Sequence, residues 1–152
     1  MANTYTQLYF HVIFAVKGRD NLISKKWKEE LYKYISGIVS NKEQKLMIIN
    51  GMPNHIHLLL STKPNCNLSD LVRDIKSNSS KWINSKQFIS GKFEWQTGFG
   101  AFTVSQSGVN SVIDYIKNQE NHHGKKSFRE EYIDFLASYE VEFNSDYIFK
   151  DE

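Results

Sequence analysis

Residues 45–60, KLMIINGMPNHIHLLL, hold two runs of strand-forming residues with only Gly51 to Asn54 between them. A connection that short leaves room for a tight turn and nothing else, so the two runs pair as an antiparallel hairpin. Alternation along the second run then fixes its faces: His55, His57 and Leu59 share one, and Ile56, Leu58 and Leu60 share the other. The aliphatic face belongs to a core. The opposite face carries two imidazoles about 7 Å apart along the strand, from where both can lean onto one divalent metal ion. A His-x-His pair also occurs as two half-exposed strand histidines, so by itself it does not separate a site from a surface.

The flanking chain supplies the rest of a sheet. Residues 5–16 are rich in β-branched and aromatic types and read as a first strand, with Leu8, Phe10, Val12, Phe14 and Val16 on one face and Tyr9, His11 and Ile13 on the other. An amphipathic helix is expected over 24–41, started by Ser24 and striped by Trp27, Leu31, Tyr34, Ile35 and Ile38. A second helix starts at Asn67 or Ser69 and buries Leu68, Leu71, Val72, Ile75, Trp82 and Ile83. Ala101 to Ser105 form a fourth strand, a third helix covers 108–122 and a last helix 127–138. The order βαββαβ followed by further helix predicts an α+β, ferredoxin-like antiparallel sheet with helices on one face, followed by a catalytic helix and a C-terminal helix and tail. The histidines then belong on the open face.

At 152 residues with 40% hydrophobic content the chain is expected to form a single domain over 1–152. The lone Cys66, the absence of a signal-like start and the lack of any span of about 20 apolar residues point to a cytoplasmic protein with no membrane role. The net charge of +2 conceals a division, because residues 1–126 hold 17 Lys/Arg against 9 Asp/Glu while residues 127–152 hold 2 against 8. A basic body suits contact with nucleic-acid phosphates, and a solvated surface would look the same.

Candidate phosphate contacts are Lys17 and Arg19 in the loop after the first strand, and Arg73, Lys76 and Lys81 on the polar face of the second helix. The glycine-rich stretch 91–100 carries Phe93, Trp95 and Phe99, which either stack on bases or anchor the loop. In the third helix, Tyr115 and Gln119 lie one turn apart, on a flank roughly 90° from the apolar stripe of Val109, Val112, Ile113 and Ile116, with His122 near them. A phenol can attack phosphorus and hold it covalently, provided a metal or positive potential offsets its pKa of about 10. Gln119 brings an amide oxygen as a third ligand beside two imidazoles, a set that suits Mg²⁺ or Mn²⁺ better than structural zinc. His11 and His122 are possible accessory groups.

Four blocks make the sequence recognisable: the opening Tyr5 to Phe14 run with Lys17 and Arg19 behind it, Met52 to Leu59, Phe93 to Phe102, and Tyr115 to His123. In order and spacing they resemble the single-tyrosine HUH transposases of the smallest insertion sequences, including relatives associated with repetitive extragenic palindromes. The resemblance implies metal ligation by His55, His57 and Gln119, with Tyr115 as the nucleophile. It also implies single-stranded DNA with imperfect hairpins as partner, and a 5′-phosphotyrosine intermediate. Insertion-sequence members work as homodimers whose sites are shared between subunits, and the resemblance implies that arrangement for this chain, with a monomer as the alternative because the palindrome-associated relatives can act as monomers. Two rival readings remain open on the residues alone. One is a non-catalytic nucleic-acid-binding module of ferredoxin-like fold; the other is a hydrolytic metalloenzyme with a third histidine at 122 or 123.

Overall fold

A computed structural model of the chain describes residues 3–122 and 126–143. Its sheet has four antiparallel strands, β1 (Leu8–Ala15), β2 (Lys45–Met52), β3 (His55–Thr62) and β4 (Gly100–Val104), in the order β2-β3-β1-β4. The helices are α1 (Lys28–Asn41), α2 (Leu68–Lys86), α3 (Val109–Lys117), α4 (Gln119–His122) and α5 (Phe128–Ser138). This is the expected α+β, ferredoxin-like arrangement.

The hairpin is tight because of Gly51, where a Cβ would come within 2.2 Å of the His55 carbonyl oxygen. Only glycine lets the two backbones approach so closely. On the aliphatic face, Val12, Phe14, Ile56, Leu58 and Leu60 pack under Leu31, Ile35, Val72, Ile75 and Ile83 of α1 and α2. Asn67 caps α2 by accepting from the Asp70 N–H, as expected, whereas α1 begins at Lys28, after a turn closed by the Ser24 carbonyl. Phe93 and Trp95 belong to this core, and Trp95 Nε1 donates to Ser79 Oγ at 2.9 Å. These two aromatics of the glycine-rich stretch therefore anchor it.

The face expected to be open is covered. Val109 and Ile116 of α3 pack on Leu59, and Phe128, Tyr132 and Leu136 of α5 pack on Ile13, Ala15 and Phe102. The apolar stripes of both helices needed a partner, and the second face of the sheet supplies it. The third helix is also not continuous, since it ends at Lys117 and resumes as α4 after Asn118, whose φ/ψ of −100°/29° is non-helical. Among the described residues no helix is long and apolar enough to cross a membrane. The C-terminal tail from residue 144 on lies outside the described residues, as does His123.

Candidate metal and nucleophile site

Strand register brings three histidines together. His57 sits opposite Ile13 and His11 opposite Leu59, so His11 and His57 are diagonal neighbours on one face. Their ring nitrogens, His11 Nε2 and His57 Nδ1, are 2.8 Å apart. On the other ring, His55 Nδ1 lies 2.7 Å from Asn54 Oδ1, an acceptor, so His55 donates from Nδ1 and leaves Nε2 as the lone-pair nitrogen of the neutral ring. Both Nε2 atoms face the same point. His11, His55 and His57 are each at most 1% exposed. Burial, and then the neighbouring His57, push the pKa of His11 down to about 3, so His11 is neutral at physiological pH.

Tyr115 and Gln119 reach that point from α3 and α4. The Tyr115 ring packs edge-on to His57 and His11 with centroids 5.9 and 6.3 Å away. Gln119 Oε1 lies 3.3 Å from His55 Nε2, while its Nε2 is directed at the Tyr115 carbonyl, 3.5 Å away. The break between the helices has its own support: Asn50 Nδ2 on β2 donates to the carbonyls of Ile116 and Lys117 at 3.0 and 3.1 Å. Those carbonyls belong to the unsatisfied end of a helix. The structure thus gathers His55, His57, Gln119 and Tyr115 within one chain, with His11 behind His57. The side chain of His122, which closes α4, lies outside the described residues.

One group at the centre is absent from the sequence-based expectation. Glu131 of α5 is 4% exposed, and its Oε1 lies 3.1 Å from His57 Nε2 and 3.5 Å from His55 Nε2. Its Oε2 accepts a hydrogen bond from the Tyr115 hydroxyl. Burial raises the pKa of the carboxyl, but the hydrogen bonds and charge that His55 and His57 bring when protonated at Nε2 outweigh that and carry it down to about 2; a cation between the neutral rings would take the place of those protons. Phe128 stacks on His55 with centroids 3.9 Å apart, and Phe135 packs edge-on to Tyr115 and His11. The sequence does carry a signal. Phe128, Glu131, Tyr132, Phe135 and Leu136 form one helical stripe, and a carboxylate within an apolar stripe is a buried carboxylate.

The basic candidates are elsewhere. Arg73, Lys76 and Lys81 line a groove of about 620 Å³ between α2 and the 92–99 loop, on the helix layer opposite the histidines. Lys76 is committed to structure, because its Nζ donates to the carbonyls of Gln96 and Gly98 at 2.7 and 2.8 Å. Arg73 pairs with Asp70 at 3.0 Å and Lys17 with Glu94 at 3.2 Å, both at the surface. The side chain of Arg19 is outside the described residues.

The donor set fits a divalent cation. Donors bound at about 2.0–2.2 Å on adjacent vertices of one coordination shell stand roughly 2.8–3.6 Å apart. The separations of 3.1, 3.3 and 3.5 Å among His55, His57, Gln119 and Glu131 lie in that range. The potential ligand atoms of His55, His57 and Glu131 all lie within 4.8 Å of one another. Lone pairs of nitrogen and oxygen converge there, and a cation satisfies them together.

Fold and site define a class: a ferredoxin-like α+β protein with a paired-histidine centre and a tyrosine hydroxyl beside it. Residues 4–119 match the family described as "Transposase IS200 like", and the chain belongs to that family. Among curated relatives, the ISDra2 transposase TnpA of Deinococcus radiodurans is 26% identical over 120 residues, covering 76% of this chain and 86% of the relative. The transposase for insertion sequence element IS200 of Salmonella typhimurium is 25% identical, covering 78% and 81%. Among solved structures, a transposase crystal structure from Deinococcus radiodurans aligns with a TM-score of 0.63 at 26% identity, covering 78% of this chain and 95% of the other. A REP-associated tyrosine transposase bound to a REP hairpin aligns with a TM-score of 0.62 at 15% identity over 82% and 73%, a likeness of fold. The family match ends at Gln119, so Glu131 and α5 lie beyond it.

Proposed function

We propose that this DNA transposase cleaves and rejoins single-stranded DNA through a 5′-phosphotyrosine on Tyr115, with a divalent metal, Mg²⁺ or Mn²⁺, held by His55, His57 and Gln119. The observation that carries the reading is that the Tyr115 ring, both histidine Nε2 atoms and the Gln119 amide oxygen converge within a single chain. In this reading the Tyr115 oxygen bonds to the scissile phosphorus, the bond from phosphorus to the 3′ oxygen breaks, and the phenolic proton is made up on the departing 3′-hydroxyl. The bond energy stays in the phosphotyrosine, so a second 3′-hydroxyl rejoins the strand without a nucleotide cofactor. The metal, when bound, polarises the phosphate and orients it for in-line attack.

His55 and His57 are fixed from behind by Asn54 and His11, which leaves both Nε2 atoms aimed at the substrate side. Hairpin DNA is the expected substrate form. The REP-associated tyrosine transposase of like fold is bound to a REP hairpin, and Lys17, Arg19, Arg73 and Lys81 are this chain's candidates for backbone contacts. With nucleophile and histidines in one chain, a monomer can be active, and a homodimer that exchanges its tyrosine helices is the alternative arrangement.

The test is a covalent adduct. End-labelled single-stranded DNA from the palindromic flanks of the gene, incubated with Mg²⁺ or Mn²⁺, is expected to give a labelled band on denaturing gels. Tyr115→Phe and EDTA should each abolish it. An adduct that persists in Tyr115→Phe would overturn the assignment, and unimpaired DNA binding with no adduct in the wild type would favour a non-catalytic binding module.

A further inference from the structure

A site that joins and breaks DNA must admit a phosphate, yet this one is closed. His55, His57 and Gln119 are 0% exposed and Glu131 is 4% exposed. What closes it is α5, which rests on the sheet through Phe128, Tyr132 and Leu136. The carboxylate of Glu131 spans the gap between nucleophile and histidines, with Oε2 on the Tyr115 hydroxyl and Oε1 at 3.1 Å from His57 Nε2. Any phosphorus attacked by Tyr115 while its oxygens face the histidines must occupy that gap. A carboxylate there is an anion of similar reach, presenting two oxygens to the same partners.

Resting on the functional reading above, we propose that Glu131 is a ligand of the resting metal centre that holds the place of the scissile phosphate, and that the DNA strand enters by displacing α5. Glu131 then has opposite effects on two measurable quantities. It strengthens metal binding when DNA is absent, because it adds a hard anionic oxygen to two imidazoles and an amide. It slows the first cleavage, because the strand must compete with it. α5, and Glu131 with it, can be disturbed without substituting any residue of the centre. A Cβ on Gly100 would come within 2.6 Å of the Tyr132 ring, so Gly100→Ala forces that ring to shift and loosens one of the side chains that seat α5 on the sheet, with no site residue substituted.

The experiment titrates Mn²⁺ into the full chain without DNA, reading the free ion by electron paramagnetic resonance, for wild type, Glu131→Gln and Gly100→Ala. Both variants are expected to bind Mn²⁺ at least about tenfold more weakly. At saturating Mn²⁺, both should form the adduct with flank-derived single-stranded DNA severalfold faster than wild type. Hydrogen exchange supplies a readout free of turnover: amides of 128–138 in the wild type should be slowed by Mn²⁺ and released when the DNA is added. Unchanged Mn²⁺ affinity in Glu131→Gln would remove the ligand role. Slower adduct formation in Glu131→Gln at saturating metal, or α5 amides that stay protected with DNA bound, would overturn the placeholder role and make Glu131 a permanent part of the centre. If the wild type forms no adduct with any strand, the functional reading falls, while the Mn²⁺ titration and the exchange measurement still decide the role of Glu131.

Discussion

His11 on β1 stands 2.8 Å behind His57 on β3, nitrogen to nitrogen, and both rings are buried. For His57 to offer a bare Nε2 to a cation its proton must sit on Nδ1, and His11 Nε2 is the acceptor that keeps it there. Support of this kind commonly sets metal affinity by a factor of about 10–100. His11→Ala is therefore expected to weaken Mn²⁺ binding within that range while leaving Tyr115 and Gln119 intact. An affinity equal to wild type in the titration would show that the contact between the rings is packing alone.

The same histidine makes a prediction about pH. The pKa of His11 falls from 6.5 to about 3 on folding, chiefly through burial. Between those values the unfolded chain binds a proton that the folded chain does not, so stability rises with pH across that window and falls as the solution is acidified. The slope from one such group is about 1.4 kcal/mol per pH unit below about 6.5, vanishing above it. Urea unfolding in EDTA at pH 7.5, 6.5 and 5.5 measures it. His11→Gln should flatten the acid limb by about that amount, and an unchanged limb would assign the pH dependence to other groups.

Asn50 closes the end of α3 from a neighbouring strand, with one amide nitrogen reaching two carbonyls. Asn50→Ala removes that donor, at an expected cost of about 1–3 kcal/mol for acceptors left without it. Because the break it supports lies just before Gln119, the variant should also bind Mn²⁺ more weakly. Thermal unfolding gives the first number and the metal titration the second. A stable variant with normal affinity would mean that Asn118 and its neighbours hold the break unaided.

Most of the sheet and half of the centre are legible in the chain. Alternation places His55 and His57 opposite Ile56, Leu58 and Leu60, and the i, i+4 spacing puts Tyr115 beside Gln119. What stays hidden depends on partners remote in sequence. The stop after Lys117 is stabilised by Asn50, 66 and 67 residues away from the carbonyls it serves, so no local pattern announces it. The face left open in the expected fold is covered by α3 and α5, a packing decision made by the whole sheet. Glu131 is obscured for a different reason. The acidic balance of residues 127–152 reads as bulk charge, whereas a single carboxylate within the stripe of Phe128, Tyr132 and Leu136 reaches the centre.

The groove between α2 and the 92–99 loop separates two kinds of lysine. Lys76 holds the loop by two carbonyl bonds and is lodged against the Phe14 ring, 5.6 Å from its centroid, whereas Lys81 is exposed on the groove wall. Lys76→Met should cost about 1–3 kcal/mol of stability, because two loop carbonyls lose their donor. Lys81→Ala should leave stability nearly unchanged. If the groove carries the DNA backbone, Lys81→Ala should instead lower the slope of log affinity against log salt by about one phosphate contact. Chemical denaturation and hairpin-DNA binding at several salt concentrations, measured on both variants, distinguish the roles. An unchanged salt slope for Lys81→Ala would move the DNA path off this groove and toward the surface around Lys17.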